Sequence, residues 1–180
     1  MADSPGVPQP AQPAKDVAHA APASALGVAA GGQNWLLRLA DAGEILSVPE
    51  LVRVPLTQPW YLGLAQVRGN LVSVVDLGLF SGGAPGFITP ESRLVLVADR
   101  LRSHCALLVQ RLLGLKDLAA LTMEGTAEST AEGTAESMAE STAEATSWRG
   151  ALFRDAQGEE WRELNIPALA RSETFLNAGL

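Results

Sequence analysis

Two neighbouring residues, His104 and Cys105, are the pair best suited by type to nucleophilic catalysis. An imidazole that activates a thiol is the usual arrangement around a cysteine nucleophile. These two residues enter an apolar run of strand length, however, and successive side chains of a strand point to opposite faces. The second histidine, His19, lies in an Ala- and Pro-rich leader. We therefore interpret His104 as a turn residue and Cys105 as a core residue, and we predict no catalytic residues.

The sequence also lacks the residue patterns that phosphate binding, metal binding or carboxylate catalysis would require. The glycines of segment 78–86 have neither the spacing nor the following helix of a phosphate-binding loop. Cys105 is the only cysteine, so it can form neither an intramolecular disulfide nor a cysteine-based zinc site. The carboxylates of Glu159 and Glu160 flank a turn, where solvated charges are expected. The sequence predicts a protein that is not an enzyme and has no metal site and no cofactor.

The charge distribution argues against a nucleic-acid partner. The 180 residues carry a net charge of −7, but segment 122–147 holds six glutamates and no base. The remaining apolar parts, 33–121 and 148–180, hold 12 basic and 12 acidic residues and are neutral. No apolar run approaches the roughly 18 to 20 residues of a membrane-spanning helix, and Asp3 stands where a secretory signal would have a base. We predict a cytoplasmic protein.

Short apolar runs define the elements that would have to position any site. They are bounded by Gly, Pro, Asp or Asn, which is typical of a mainly β protein. The runs are residues 35–39, 44–48, 51–56, 61–67, 71–77, 93–98 and 105–113. Residues 71–75 are apolar at nearly every position, so both faces of that strand should be covered. Two barrels packed against each other would cover it in this way.

Segments outside these runs complete the predicted organisation. Residues 1–32 are interpreted as a disordered leader, because their composition buries too little apolar surface. The Ala-Glu repeat of 122–147 is interpreted as a solvated acidic loop; a binding segment for a basic partner is the alternative. Residues 148–164 predict a hairpin, and Pro167 suits the first turn of a short C-terminal helix.

One segment, residues 62–77, resembles the signature of the CheW-like family. In that signature a glycine, an apolar stretch, an Arg-Gly turn, an apolar strand and an Asp-Leu pair follow one another, as Gly63, Arg68, Gly69 and Asp76 do here. Residues 44–51 are similar to the first-barrel strand of the family.

The second half of the chain indicates which branch of the family the sequence resembles. Residues 93–118 and 148–169 are similar to the PilI-like branch of the family, which serves type IV pilus twitching motility. The resemblance implies a mainly β fold of two interlocked, small, five-stranded barrels (Src-homology-3-like, the CheW-like fold) and a short C-terminal helix. It places the domain at 33–180, with the barrel boundary near 80–92.

The resemblance also implies partners. Family members dock one barrel edge on the regulatory domain of a CheA-like histidine kinase. A groove between the barrels takes a methyl-accepting chemotaxis-type receptor, and the membrane is reached only through that receptor. The partner-binding positions that it implies are Val48, Glu50, Leu51, Gly63, Arg68 and Gly69.

The residues themselves leave alternatives open at these positions. Gly69 can supply a turn that lifts Arg68 off a strand end, where a guanidinium can bind a partner carboxylate or backbone carbonyls. Arg68 could equally be a solvated turn charge, and Val48 and Leu51 could be ordinary core. Asp76 is expected to be structural, accepting backbone hydrogen bonds after its strand.

The predicted function is coupling of a receptor to a histidine kinase in chemosensory signalling, with twitching motility as the output. One alternative is a CheW-like scaffold of flagellar chemotaxis or of another output, including a phosphatase-coupled or standalone one. Another is an unrecognised hydrolase or transferase, whose activity would have to depend on His104.

Overall fold

The computed structural model describes residues 24–125 and 147–179, which form two six-stranded sheets and several short helices. Sheet 1 contains β1 (Ser24–Ala30), β2 (Gln33–Arg38), β9 (Arg111–Asp117), β10 (Thr122–Gly125), β11 (Arg149–Arg154) and β12 (Glu160–Leu164), in the order β10-β11-β12-β2-β1-β9. Sheet 2 contains β3 (Ala42–Ser47), β4 (Leu51–Val52), β5 (Tyr61–Val67), β6 (Asn70–Asp76), β7 (Arg93–Val97) and β8 (Cys105–Val109), in the order β3-β7-β8-β6-β5-β4. The predicted mainly β fold is confirmed, with six strands per sheet where five were expected.

The chain order interlocks the two sheets. It begins in sheet 1, builds all of sheet 2, and returns to sheet 1 at Gln110, whose N–H donates to the Ala29 carbonyl at 2.8 Å. The predicted run 105–113 is therefore two strands in different sheets. The predicted barrel boundary near 80–92 is wrong, because that Gly- and Pro-rich segment joins two parts of sheet 2. Its composition marks a loop, but composition does not reveal when a chain changes sheets.

The start of the folded part also needs correction. Residues 24–32, which were assigned to the disordered leader, form β1 and the turn after it, so the folded part does not begin at residue 33. β1 lies between β2 and β9 and pairs with both, and its Ala25 and Val28 side chains are buried. Small residues are required here, because a Cβ at Gly27 would lie 2.8 Å from the Trp161 ring. Residues 1–23 lie outside the described part of the chain.

The first residues of the predicted acidic loop belong to a strand. Residues 122–125 are β10, which pairs with β11. The remainder of the predicted loop, 126–146, lies outside the described residues. The predicted hairpin after it is confirmed as β11 and β12, with Phe153 opposite Trp161.

The described residues contain three short α-helices: α1 (Leu77–Phe80), α2 (Ile166–Leu169) and α3 (Glu173–Leu176). The Asn165 side chain accepts a hydrogen bond from the Ala168 N–H at the start of α2, and Pro167 lies in the first turn, as predicted. No helix in the described ranges is long and apolar enough to cross a membrane.

Apolar packing divides into one shared core and one small core inside each sheet. The shared core includes Trp35, Leu37, Val75, Leu77, Val95, Leu107, Leu164 and Ile166. Val74, Leu94 and Leu108 belong to the core of sheet 2, and Leu36, Phe153 and Trp161 to that of sheet 1. Strand β6 therefore buries Val74 on one face and Val75 on the other, as its unbroken apolar run predicted.

The sheets meet closely where the β1–β2 turn touches α1. A Cβ at Gly78 would lie 2.7 Å from the Gly31 nitrogen and 2.8 Å from the Ala84 carbonyl oxygen. Both are backbone atoms, which cannot swing aside as a side chain can. A glycine is therefore required at the joint between the sheets.

We predict that Gly78→Ala lowers the free energy of unfolding by about 2 kcal/mol or more, because overpacking forces the backbones apart. Gly82→Ala is the matched control, since its Cβ would meet no atom within 4 Å although Gly82 has a φ of +78°. That backbone strain costs about 1 kcal/mol. Urea unfolding of both variants tests this, and an equal loss in the two would contradict it.

Candidate functional site

His104 and Cys105, the pair whose residue types could suit nucleophilic catalysis, do not contact each other through their side chains. His104 is exposed, whereas the Cys105 side chain is buried in the shared core. The Cys105 Sγ lies 3.3 Å from the Ser103 hydroxyl, and no hydrogen bond joins it to His104. Burial raises the pKa of the Cys105 thiol, and the hydrogen bond with Ser103 offsets only part of this effect. His19 lies outside the described residues.

The carboxylates near the hairpin turn are engaged in structural contacts. Glu159 accepts a hydrogen bond from the Asn34 amide, and Glu160 pairs with Arg154 at 2.7 Å. Asp155 accepts from the Trp161 indole at 3.0 Å. Burial opposes ionisation of Asp155, but its hydrogen bonds from Trp161 and from backbone N–H groups hold its pKa below the ordinary value. Across residues 24–125 and 147–179, no group of three or more His, Cys, Asp or Glu side chains could hold a metal ion.

The structure places Arg68 and Gly69 at the tip of the β5–β6 hairpin. Both have positive φ, +51° and +86°, as in a type I′ turn. Glycine adopts this conformation freely, but arginine there costs roughly 1 kcal/mol. The Arg68 side chain is 76% exposed, and its Nη2 donates to Glu44 Oε1 at 2.7 Å. The hairpin therefore holds a mostly solvent-accessible guanidinium.

The partner of Arg68 comes from the opposite end of the sheet order. Glu44 lies on β3, which heads the order of sheet 2, while β5 and β6 are near its other end. Sheet 2 must therefore curl until its two ends approach, as in a barrel. A cleft of about 320 Å³ lies beside the pair, and His104 and Cys105 line part of it.

The remaining predicted partner-binding residues have mixed environments. Val48 and Leu51 are half-buried against the core of sheet 2, and Glu50 between them is exposed. Gly63 is buried with a φ of +126°, and a Cβ there would lie 2.2 Å from the Val52 carbonyl oxygen. Gly63 thus allows β4 to approach β5, and it presents no surface to a partner.

Asp76 has a structural position at the end of β6. Its Oδ1 accepts from the Leu79 N–H at 3.1 Å, which caps α1, and its Oδ2 accepts from the Gly86 N–H at 2.9 Å. The carboxylate is buried and fixes both the helix and the loop that follows it.

Sequence reasoning missed Glu44 at this site, and it also misassigned Leu56 in the connection between β4 and β5. Glu44 was assigned only to a strand, and its contact with Arg68 depends on the curl of the sheet, which has no local signal. Leu56 was assigned to a strand, but it is highly exposed and has a φ of +59°. The preceding Pro55 is the signal that could have indicated a turn.

Comparison with known proteins identifies the family. A family model described as CheW-like domain matches residues 24–150. The chain therefore belongs to the CheW-like domain family. The match includes strand β1, which supports the corrected start of the folded part.

Two similar proteins support this assignment. Protein PilI of Pseudomonas aeruginosa is 30% identical over 93 residues, which are 52% of this chain and 52% of that protein. The chain thus spans about half the length of this curated relative. The crystal structure of scaffolding protein TtCheW from Thermoanaerobacter tengcongensis has a TM-score of 0.58 over 79% of this chain and 88% of that chain. At 13% identity this likeness shows a shared fold. The resemblance found in the sequence, including its PilI-like character, is confirmed.

We predict that Cys105 reacts at least tenfold more slowly with iodoacetamide at pH 8 in the native protein than in urea, because burial raises its pKa and blocks access. The unfolded thiol ionises first as pH rises, so stability should fall above pH ~8.5, the ordinary thiol pKa. Since Cys105 is the only cysteine, mass spectrometry of the alkylated protein measures the reaction of this thiol alone. His104→Ala should leave the rate unchanged; a slower rate in that variant would indicate an activating contact.

Proposed function

We propose that this chain is a non-enzymatic coupling protein, which joins a methyl-accepting chemotaxis-type receptor to a CheA-like histidine kinase. The observation that carries the proposal is the CheW-like family match over residues 24–150. The proposal includes the cytoplasmic location predicted from the sequence, with membrane contact only through the receptor. It requires no cofactor and no nucleic acid.

Arg68 is the first residue that we assign to a partner interface. A strained backbone position occupied by an exposed arginine is costly, which favours a role outside folding. The ion pair with Glu44 is solvent-exposed, and such pairs contribute only about 0 to 1 kcal/mol. A partner carboxylate could therefore take the place of Glu44 at little cost. Gly69 belongs to the interface through the turn that it allows.

Val48, Glu50 and Leu51 form a second part of the proposed interface, on the connection between β3 and β4. Their half-buried apolar side chains fix the backbone against the core of sheet 2, while the Glu50 carboxylate reaches solvent. This connection and the β5–β6 hairpin belong to the same curled sheet. We assign the kinase regulatory domain to this rim, and the receptor tip to the groove between the sheets.

Type IV pilus twitching is the output that we propose. The identity to PilI of Pseudomonas aeruginosa, 30% over 93 residues, supports it over a flagellar output. Genes for pilus response regulators beside the gene for this chain would agree with the proposal. Flagellar genes in that place would contradict it.

We expect Arg68→Ala to weaken binding of the cognate kinase by about 1 to 2 kcal/mol, roughly 5- to 30-fold, without lowering the free energy of unfolding. Isothermal titration calorimetry measures the affinity. Arg171→Ala, a change of another exposed arginine, should have no effect. Glu44→Gln separates the two roles of Arg68: kinase affinity should be kept or raised, whereas an equal loss would indicate that the internal ion pair matters.

Charge reversal at Glu50 tests the second part of the interface. We expect Glu50→Lys to reduce kinase binding about 5- to 30-fold, because charge reversal in a partly desolvated contact removes the electrostatic complementarity that the proposed interface requires. The melting temperature should not change, since the side chain is exposed. Glu173→Lys, at an exposed position of α3, is the control. Unchanged affinity in Glu50→Lys would remove this residue from the interface.

A further inference from the structure

The loop between α1 and β7 displays two large apolar side chains to solvent. Phe87 is 81% exposed and Ile88 is 55% exposed. Adjacent exposed side chains of this size are unusual on a surface that meets only water, and they commonly mark a contact with another protein.

Buried polar residues fix the backbone of this loop on both sides of Phe87. Asp76 accepts from the Gly86 N–H at 2.9 Å. The Ser92 hydroxyl donates to the Phe87 carbonyl at 3.2 Å and accepts from the Thr89 N–H at 2.9 Å. Asp76 and Ser92 are each 2% exposed. These hydrogen bonds fix the loop backbone that carries the two apolar side chains. Binding of a partner would therefore cost little conformational entropy in the loop.

A recess lies directly beside Phe87. It is a cleft of about 420 Å³ between the loop, the β1–β2 turn and the start of β9. Glu91 and Arg111 both line it. Neither side chain forms an ion pair or a side-chain hydrogen bond with any residue that the structure describes. The surface thus carries a protruding apolar group next to a recess, and an acid together with a base.

We propose that this surface binds a second copy of the chain through a two-fold symmetric contact. Phe87 of each copy would enter the recess of the other, and Glu91 of each would face Arg111 of the other. A two-fold contact requires a patch that is complementary to itself. This patch carries both a protruding ring and a recess, and both an acid, Glu91, and a base, Arg111. A surface that binds a different partner would need only one member of each pair. The inference is independent of receptor and kinase binding.

We expect the contact to be limited to this loop and its recess, so the dimer should be weak. Contacts that bury less than about 1,200 Å² in total are typical of transient association. We expect dissociation constants on the order of 10 µM to 1 mM for the isolated chain.

Sedimentation equilibrium of the full chain over a range of concentrations tests the proposal. The expected result is a reversible monomer–dimer equilibrium that Phe87→Ser weakens at least tenfold. Leu176→Ser is the matched control, because Leu176 is 66% exposed on α3, and it should leave the equilibrium unchanged. A wild-type chain that remains monomeric at 1 mM, or a dimer insensitive to Phe87→Ser, would overturn the proposal.

Charge reversal tests the symmetry itself. Glu91→Arg and Arg111→Glu should each weaken self-association at least about fivefold, since each change places like charges together at both halves of the contact. Mixing the two variants should restore a dimer, because each arginine then meets a glutamate of the other chain. Failure of the mixture to associate would overturn the two-fold arrangement. A monomer whose kinase or receptor binding falls with Phe87→Ser would assign the patch to those partners and overturn the proposal as well.

Discussion

The shared apolar core between the sheets is the contact on which the rest of the structure depends. Trp35 from sheet 1 packs in one cluster with Val75 and Leu107 from sheet 2, and all three are at most 2% exposed. Burial of apolar area is the dominant favourable term in folding. Because each sheet covers the inner face of the other, neither has a complete core alone. The chain order reinforces this dependence, since sheet 1 receives its last four strands only after sheet 2 has been built.

A core of this kind leaves the rims of the sheets as the surfaces that we propose for recognition. Inward-facing positions are occupied by packing, and the groups that reach solvent in fixed geometry lie on turns and connections, such as the tip at Arg68 and the loop at Phe87. Each of these two solvent-facing groups is fixed by strand pairing or by buried hydrogen-bonding side chains. Residues 68 and 69 are fixed by the pairing of β5 with β6, and Phe87 is fixed by Asp76 and Ser92. Buried polar groups without such partners would be costly, so these supports also contribute to stability.

Local pattern predicted the strands well and their assembly poorly. Continuous apolar runs revealed most strands of sheet 2, because Val and Leu bounded by turn residues leave few alternatives. Strand β1 was missed, since Ala and Gly have low β propensity and here serve the packing of Trp161. The family motif indicated Arg68 and Gly69 as a turn. It could not indicate the Glu44 contact, which joins residues 24 positions apart across a curled sheet.

The joint between the sheets also bears on the proposed coupling of two partners by one chain. Gly31 meets Gly78 and Gly83 backbone to backbone, with no room for a Cβ at these contacts. Close-packed interiors resist gradual deformation, so a rotation at this joint would open the shared core along its length. Surfaces on the two sheets therefore keep a fixed distance and angle. The proposed coupling role requires this property, because a receptor and a kinase bound to a hinged scaffold would not hold a defined geometry relative to each other.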